Sequence, residues 1–267
     1  MKNGSIVAIS ALVLLGGGYA GYSYWQHMQA ANEVVDEAPA STVEAAPEVR
    51  LVIDPAMQTR LPALDASDDF IIDAMSSLLG SETLMAVLVN EKLIQKIVST
   101  IDNLPSKSVP REMMPIVTAE GVLITLGPEG KLTISPKNAE RYTAYMKLVD
   151  AIDAGKLVKA YLRFYPLFQQ AYEELGYPDK YFNDRLMIVI NDLLAAPDVV
   201  EPVKVVQPLV VYQFADTAME AKNIGQRIML RIGSKNEAKL KDKLRDIRKE
   251  LLENMREIKL VPQTKKM

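Results

Sequence analysis

Between Tyr161 and Pro197 the chain reads YLRFYPLFQQAYEELGYPDKYFNDRLMIVINDLLAAP, and eight of its seventeen aromatic residues fall within twenty-two positions of this stretch. Tyr161, Tyr165, Phe168 and Tyr172 recur at helical steps and so share one face, while Leu162, Phe164, Leu167, Ala171 and Leu175 cover much of the remainder. A helix apolar on so many sides belongs at the centre of a fold, with other elements wrapped around it. Pro166 has no amide hydrogen and its ring crowds the carbonyl of Leu162, which predicts a kink or a restart there. Gly176 predicts a C-terminal cap and Tyr177-Pro178 an extended step. Asn183 or Asp179 then caps a second helix, buried through Leu186, Ile188, Val189, Ile190, Leu193 and Leu194.

The flanking sequence supplies the helices that would enclose this pair. Ser67 is placed to cap a helix that carries Asp68 and Asp69 in its first turn and ends near Gly80. Ser81 and Glu82 open another, whose Leu84, Leu88, Leu93, Ile94, Ile97, Val98 and Ile101 form a broad core-facing stripe. Asn103 to Ala119 holds three prolines and predicts an irregular connection, long enough to be a binding edge. Alternating Val122, Ile124 and Leu126, then Gly127-Pro128-Glu129-Gly130, then Leu132 and Ile134, predict a short hairpin. Ser135-Pro136 starts a helix through Tyr142, Tyr145, Leu148 and Val149 that finishes near Gly155. The valine-rich segment from Glu201 to Phe214 is interrupted by Pro202 and Pro208, so it predicts edge strands that could pair with the hairpin. Asp216 caps a helix stopped near Gly233, and Ser234 with Glu237 forms an S-x-x-E box before a long final helix. The fold class expected is therefore mainly α: a single globular helical domain of about seven helices with a small β-hairpin and short edge strands, after an N-terminal transmembrane helix.

Residues 6–25, IVAISALVLLGGGYAGYSYW, carry no charge and are long enough to span a hydrocarbon core. Lys2 and the amino terminus precede them, Glu33, Asp36 and Glu37 follow, and Tyr22, Tyr24 and Trp25 gather at the far end. This pattern predicts a signal-anchor with its N-terminus in the cytoplasm and the rest outside. The alternative is a signal peptide cleaved after Gly18-Tyr19-Ala20, and either reading exports the domain. The organisation expected is an anchor over 1–27, an acidic Pro/Ala-rich linker over 28–61, a helical periplasmic domain over 62–260 and a flexible basic tail over 261–267.

Several chemistries are excluded by what the chain lacks. There is no cysteine, hence no disulfide, thiolate nucleophile or zinc-thiolate site, and the one histidine, His27, sits beside the apolar run. No cofactor or metal site is expected. A net charge of −3 gives no reason to expect nucleic acid as a partner. That mean hides an asymmetry: from Lys222 to Met267 fourteen basic residues face six acidic ones. The final helix repeats Leu240, Leu244, Ile247, Leu251, Met255 and Ile258 at heptad-like spacing. It can dock on its own domain, mediate self-association or partner binding, or adhere to an anionic envelope surface.

The run YPLFQQAYEELGYPDKYFNDRL, the helix after it and YQFAD at Tyr212 to Asp216 resemble an uncharacterised bacterial family, domain of unknown function three thousand and fourteen. LPALDASDDF, TIDNLP and RYTAYMKLVDAID extend the resemblance over Leu61 to Leu252. It implies a membrane-anchored envelope protein of Gram-negative-type bacteria and brings no functional residues with it.

Candidate binding residues come from the polar members of the aromatic stretch: Arg163, Glu173, Glu174, Tyr177, Asn183, Asp184 and Arg185. Paired carboxylates among aromatics could hydrolyse cell-wall glycan, but Glu173 and Glu174 point about 100° apart on a helix and need Asp184 or another acid. Structural work accounts for the same residues: Asn183 as a cap, Asp184 in a first turn, and Arg163 or Arg185 paired with Glu173 or Glu174 across two helices. The function expected is a single-pass inner-membrane protein exposing a non-enzymatic binding or scaffolding module to another envelope protein or the cell wall. The alternatives are a carboxylate-dependent wall hydrolase and a periplasmic small-ligand sensor.

Overall fold

A computed structural model of the chain describes residues 61–80, 84–85 and 87–259, with side chains at all of these except 78, 79 and 255–259. The predicted anchor, nearly all of the linker and the tail lie outside these residues. Among the described residues no helix is long and apolar enough to cross a membrane. Their order is α1 (Asp68–Leu79), α2 (Leu93–Asn103), β1 (Thr125–Leu126), β2 (Thr133–Ile134), α3 (Thr143–Ala151), α4 (Ala154–Glu174), α5 (Phe182–Leu194), β3 (Val205–Val206), β4 (Gln213–Phe214), α6 (Thr217–Glu220), α7 (Ile224–Arg231) and α8 (Ser234–Lys259). Short 3₁₀ helices occupy Leu64–Ala66, Arg111–Met113 and Pro136–Tyr142. The fold is mainly helical with two small antiparallel hairpins.

The aromatic stretch forms the axis. Asp153 caps α4 by accepting the Lys156 amide at 2.8 Å, and the helix packs chiefly against α2 and α8, with α5 alongside. It runs through Pro166 without restarting. An internal proline costs about 3 kcal/mol, but Phe164, Leu167 and Phe168 around it are all buried, and burying each such side chain contributes about 1.5–3 kcal/mol. Packing therefore overrides the local penalty. The end at Gly176 is as expected: with φ near 113° it donates to the Glu173 carbonyl while Tyr177 donates to Tyr172, the paired bonds of a Schellman cap.

Two further predicted caps hold, since Ser135 accepts the Lys137 amide and Asp216 the Ala218 and Met219 amides, but several others do not. Ser67 does not accept from the start of α1; its hydroxyl donates back to the Leu64 carbonyl at 2.7 Å. The stripe expected to run as one helix from Ser81 to Ile101 is broken. Val87 is in a turn, Leu88 bridges Ile116, and Lys92 is left-handed at φ 51°. That geometry holds because Asp68 of α1 accepts the Lys92 and Leu93 amides at 2.6 and 2.8 Å and so caps α2 from outside. Asn183 does not cap α5. Tyr181 holds the cap position with no capping bond from its side chain to the helix, and the Phe182 amide donates instead to Gln169 Oε1 of α4 at 2.9 Å. The helix predicted from Asp216 to Gly233 is two, α6 and α7, because Asn223 accepts the Gln226 amide and starts a new one. This split makes eight α-helices among the described residues where about seven were expected. The S-x-x-E box is also absent: Ser234 gives its amide and hydroxyl to Glu201, and Glu237 turns inward to Lys241.

The long final helix docks on its own domain, with Leu240, Leu244, Ile247 and Leu251 buried in the main core. The two hairpins meet through a bridge between Thr133 and Lys204, supported by bonds from Ile134 to Val203 and from Val205 to Leu132, each 2.9 Å. The tight turn between β1 and β2 needs Gly127, since a Cβ there would lie 2.6 Å from the Lys131 carbonyl oxygen. On the outer edge of β4, which would otherwise stay open, Glu220 accepts the Phe214 amide and Arg231 donates to the Tyr212 carbonyl. Asn138 pairs with both backbone groups of Ile124, whose carbonyl also accepts the Ser135 amide on the β2 side. Directly opposed residues share a face, so Ile134, Val203 and Phe214 turn inward to a second small core with Val199 and Leu230. Leu126 and Val206 turn outward.

Candidate functional site

At the corner after α4, Tyr177 stacks on Tyr172 with ring centroids 4.7 Å apart and donates its hydroxyl to Asp102 Oδ2 at 3.3 Å. Arg185 from α5 donates Nε to Asp102 Oδ1 at 2.8 Å and a second nitrogen to the Asp102 carbonyl. A carboxylate one residue before the end of α2 opposes the negative end of that helix dipole, and Arg185 offsets it. Two of the seven candidates thus converge, on an acid the sequence reading did not name. The available signal was an aspartate interrupting the apolar end of the α2 stripe inside TIDNLP.

The other candidates do not join them. Glu173 and Glu174 are exposed, and each accepts from a glutamine one turn earlier, Gln169 and Gln170, at 2.9 Å. Arg163 lies on the surface against the rings of Phe70 and Phe164 rather than on a glutamate. The expected pairing of Arg163 or Arg185 with Glu173 or Glu174 is therefore replaced, in one case by aromatic faces and in the other by Asp102. Asn183 is fully buried, where its Oδ1 accepts the Tyr161 hydroxyl at 3.4 Å, and Asp184 sits in the first turn of α5. Gln169 is the fastening of the corner. Its oxygen accepts from Tyr165 and the Phe182 amide, and its nitrogen donates to Glu173 and the Lys180 carbonyl, so its full hydrogen-bonding capacity is used. Among the described residues no group of three or more histidine or acidic side chains is arranged to hold a metal.

Burial dominates the electrostatics here. It pushes Tyr172 and Tyr145 up to about 12 and raises Tyr142, Tyr161 and Tyr165 as well. A tyrosine raised in the folded state keeps a proton that the unfolded chain releases near pH 10, so its contribution is intact below that pH and lost as pH climbs toward the folded value. Base titration should therefore show tyrosinate absorbance lagging in the native protein and rising together with loss of helical ellipticity above pH about 10. Tyr145→Phe and Tyr172→Phe should make that loss less steep. Native and denatured protein titrating together would contradict this account.

A different surface collects exposed apolar groups. Val122, Leu126 and Leu209 are 77%, 52% and 83% exposed, and Ile124, Val206 and Val210 are also open to solvent. The alternation that predicted the hairpin therefore leaves apolar side chains on the face away from the core. Beside this face lies a cleft of about 320 Å³ lined by Val122, Leu123, Tyr142, Val210 and Tyr212 and by the guanidinium groups of Arg141 and Arg231. Arg231 is buried against the Phe214 ring and stands 3.9 Å from Glu220, while Arg141 donates to the Glu120 and Gly121 carbonyls at 2.9 Å each. The first hairpin was legible in the sequence, and the second only as edge strands, which in the structure pair with each other; this pair of arginines was not, since nothing local brings residues ninety positions apart to one cleft.

A family model described as a protein of unknown function, DUF3014, matches residues 93–248, from the start of α2 into α8. No curated protein and no solved structure matches the chain.

Proposed function

The chain belongs to the DUF3014 family, and we propose that it is a single-pass inner-membrane protein whose helical domain stands in the periplasm as a non-enzymatic binding or scaffolding module for another envelope component. The observation that carries this reading is the apolar outer face of the two hairpins. Val122, Ile124, Leu126, Val206, Leu209 and Val210 are all exposed, while the outer edge of β4 is closed by Glu220 and Arg231. Exposed apolar side chains gathered on one face of an otherwise well-packed domain are a mark of an interaction surface. The apolar run at residues 6–25 with the charges flanking it supports export and anchorage. The hydrolase alternative loses its support because Glu173 and Glu174 lie on the surface, each held by a neighbouring glutamine and not facing a second acid across a cleft.

An alkaline phosphatase reporter fused after Lys266 should be active in intact cells, and a reporter that works only in the cytoplasm should be silent at the same position. The reverse pattern overturns the topology. Purified full-length protein should release no muropeptides from isolated sacculi. Release that disappears on Glu173→Gln, Glu174→Gln or Asp184→Asn would replace binding with hydrolysis.

A further inference from the structure

We propose that the cleft beside the hairpins captures the C-terminal end of a partner polypeptide, with the terminal carboxylate on Arg141 and the last apolar side chain against Val122, Leu123 and Val210. This rests on the binding-module reading and names the chemistry of its partner. The cleft, at about 320 Å³, falls in the size range of small-ligand sites. Its walls are mostly apolar and aromatic with one amide, Gln207, its charged groups are Arg141 and Arg231, and among the described residues no carboxylate lines it.

The two guanidinium groups are not equivalent. Arg231 is buried, gives Nη2 to the Tyr212 carbonyl and stands 3.9 Å from Glu220, a carboxylate that also holds Arg227 at 2.8 Å. Among the described residues no carboxylate lies within ion-pair distance of Arg141. Arg141 spends Nε and Nη2 on the carbonyls of Glu120 and Gly121, which fixes the plane of the group. Its fork has five N–H donors, so the end formed by Nη1 and the second Nη2 hydrogen is left to grip a carboxylate with two parallel bonds. A bare anion would use the charge and waste the walls. The exposed Leu209, Val210 and Val122 at the rim extend the apolar surface beyond the cleft, as a chain end with apolar preceding residues requires. A polypeptide end supplies both the carboxylate and that chain.

The test is fluorescence anisotropy with the full-length protein in detergent micelles. The probe is a labelled hexapeptide ending in Val-Leu with a free carboxylate, compared with its C-terminal amide. The free acid should bind about tenfold or more tighter than the amide, because a charge-assisted bidentate contact is lost on amidation. Arg141→Gln should lower affinity for the acid about tenfold and abolish its advantage over the amide. Since that variant also loses contacts that hold Glu120 and Gly121, Val122→Asp provides a second reading at an exposed position: it should keep the melting temperature and repel the acid more than the amide. Equal binding of acid and amide, or wild-type affinity in both variants, overturns the assignment. Displacement of the peptide by dodecanoate at lower concentration than by unlabelled peptide overturns it in favour of a fatty acid. If no hexapeptide binds at millimolar concentration while a photocrosslinker at Ile124 gives an adduct in intact cells that Ile188 does not, the cleft assignment fails and the binding-module reading stands.

Discussion

Phe182→Ala should lower folding stability by about 3–5 kcal/mol, the range for removing a large buried ring. Phe182 is fully buried at the first position of α5 and meets three rings of α4: Phe168, nearly parallel at 5.7 Å, Tyr172 at 5.7 Å and Tyr161 at 6.5 Å. Each well-placed aromatic pair adds about 0.5–1.5 kcal/mol beyond its buried area, so the loss exceeds that of an isolated core residue. The backbone amide of the same residue is held by Gln169, which keeps the start of α5 in place and prevents collapse into the void. A domain of ordinary stability holds only about 5–15 kcal/mol in total, so this one change removes a large share. Denaturant unfolding should show a lower midpoint with the slope unchanged. Ile188→Ala, on the same helix but half exposed, should stay within about 0.5 kcal/mol of wild type. A loss at Phe182 of less than about 1 kcal/mol would mean that the aromatic cluster is not the fold's centre.

That centre was legible from the spacing of the aromatics, because helical periodicity and burial are local consequences of residue type. Tyr161, Phe168 and Tyr172 are buried on the face the sequence assigned them. What failed were inferences that treated helix starts as local affairs. Asp68, Gln169 and Glu201 each satisfy amides of a helix to which they do not belong, and the partners lie 24 or more positions away in the first case and 33 in the last. A capping residue read from sequence competes with every acceptor that tertiary packing later brings near, and here the distant acceptors win at α2, α5 and α8. Pro166 failed as a breaker for the same reason: burial on both sides outweighs a local penalty.

The site was legible to a smaller degree. Tyr177 and Arg185 were singled out and do meet, but on Asp102, more than seventy positions earlier, and the meeting closes the corner instead of opening a pocket. Arg141 and Arg231 attracted no notice because each looks like an ordinary surface arginine at the end of its helix. Only the pairing of β2 with β3 carries the two hairpins together and sets the 207–212 turn beside Gly121 and Val122. The acidic candidates Glu173 and Glu174 were prominent as letters and are peripheral in space.

The second large effect concerns an ion cluster that joins a buried lysine and glutamate of α8 to an exposed aspartate, Asp198, in the lead into β3. Lys241 is 3% exposed; it donates to the Ala196 carbonyl and to Asp198 Oδ1, both at 2.6 Å, and stands in an ion pair with Glu237 Oε1 at 2.9 Å. Glu237 is equally buried, and its other oxygen accepts the Val199 amide. Burial works against the charge on Lys241, but the bonds to Asp198 and Glu237 outweigh it and hold its pKa above the usual value, while Lys241 holds that of Asp198 below. By linkage the lysine's contribution is complete below its unfolded value near pH 10 and is lost as pH rises through the folded one; that of Asp198 is present above pH about 4 and lost on acidification. Lys241→Met should cost about 3–5 kcal/mol, because it strands a buried carboxylate. Adding Glu237→Leu should recover much of the loss, as apolar replacement of a whole buried pair is often neutral. Because the cluster fastens residues 196–199, the lead into β3, to α8, Lys241→Met should also weaken binding at the hairpin cleft under conditions where the helices remain folded. A single mutant as stable as wild type would show that Glu237 finds water or another partner and that the sheet does not depend on this clamp.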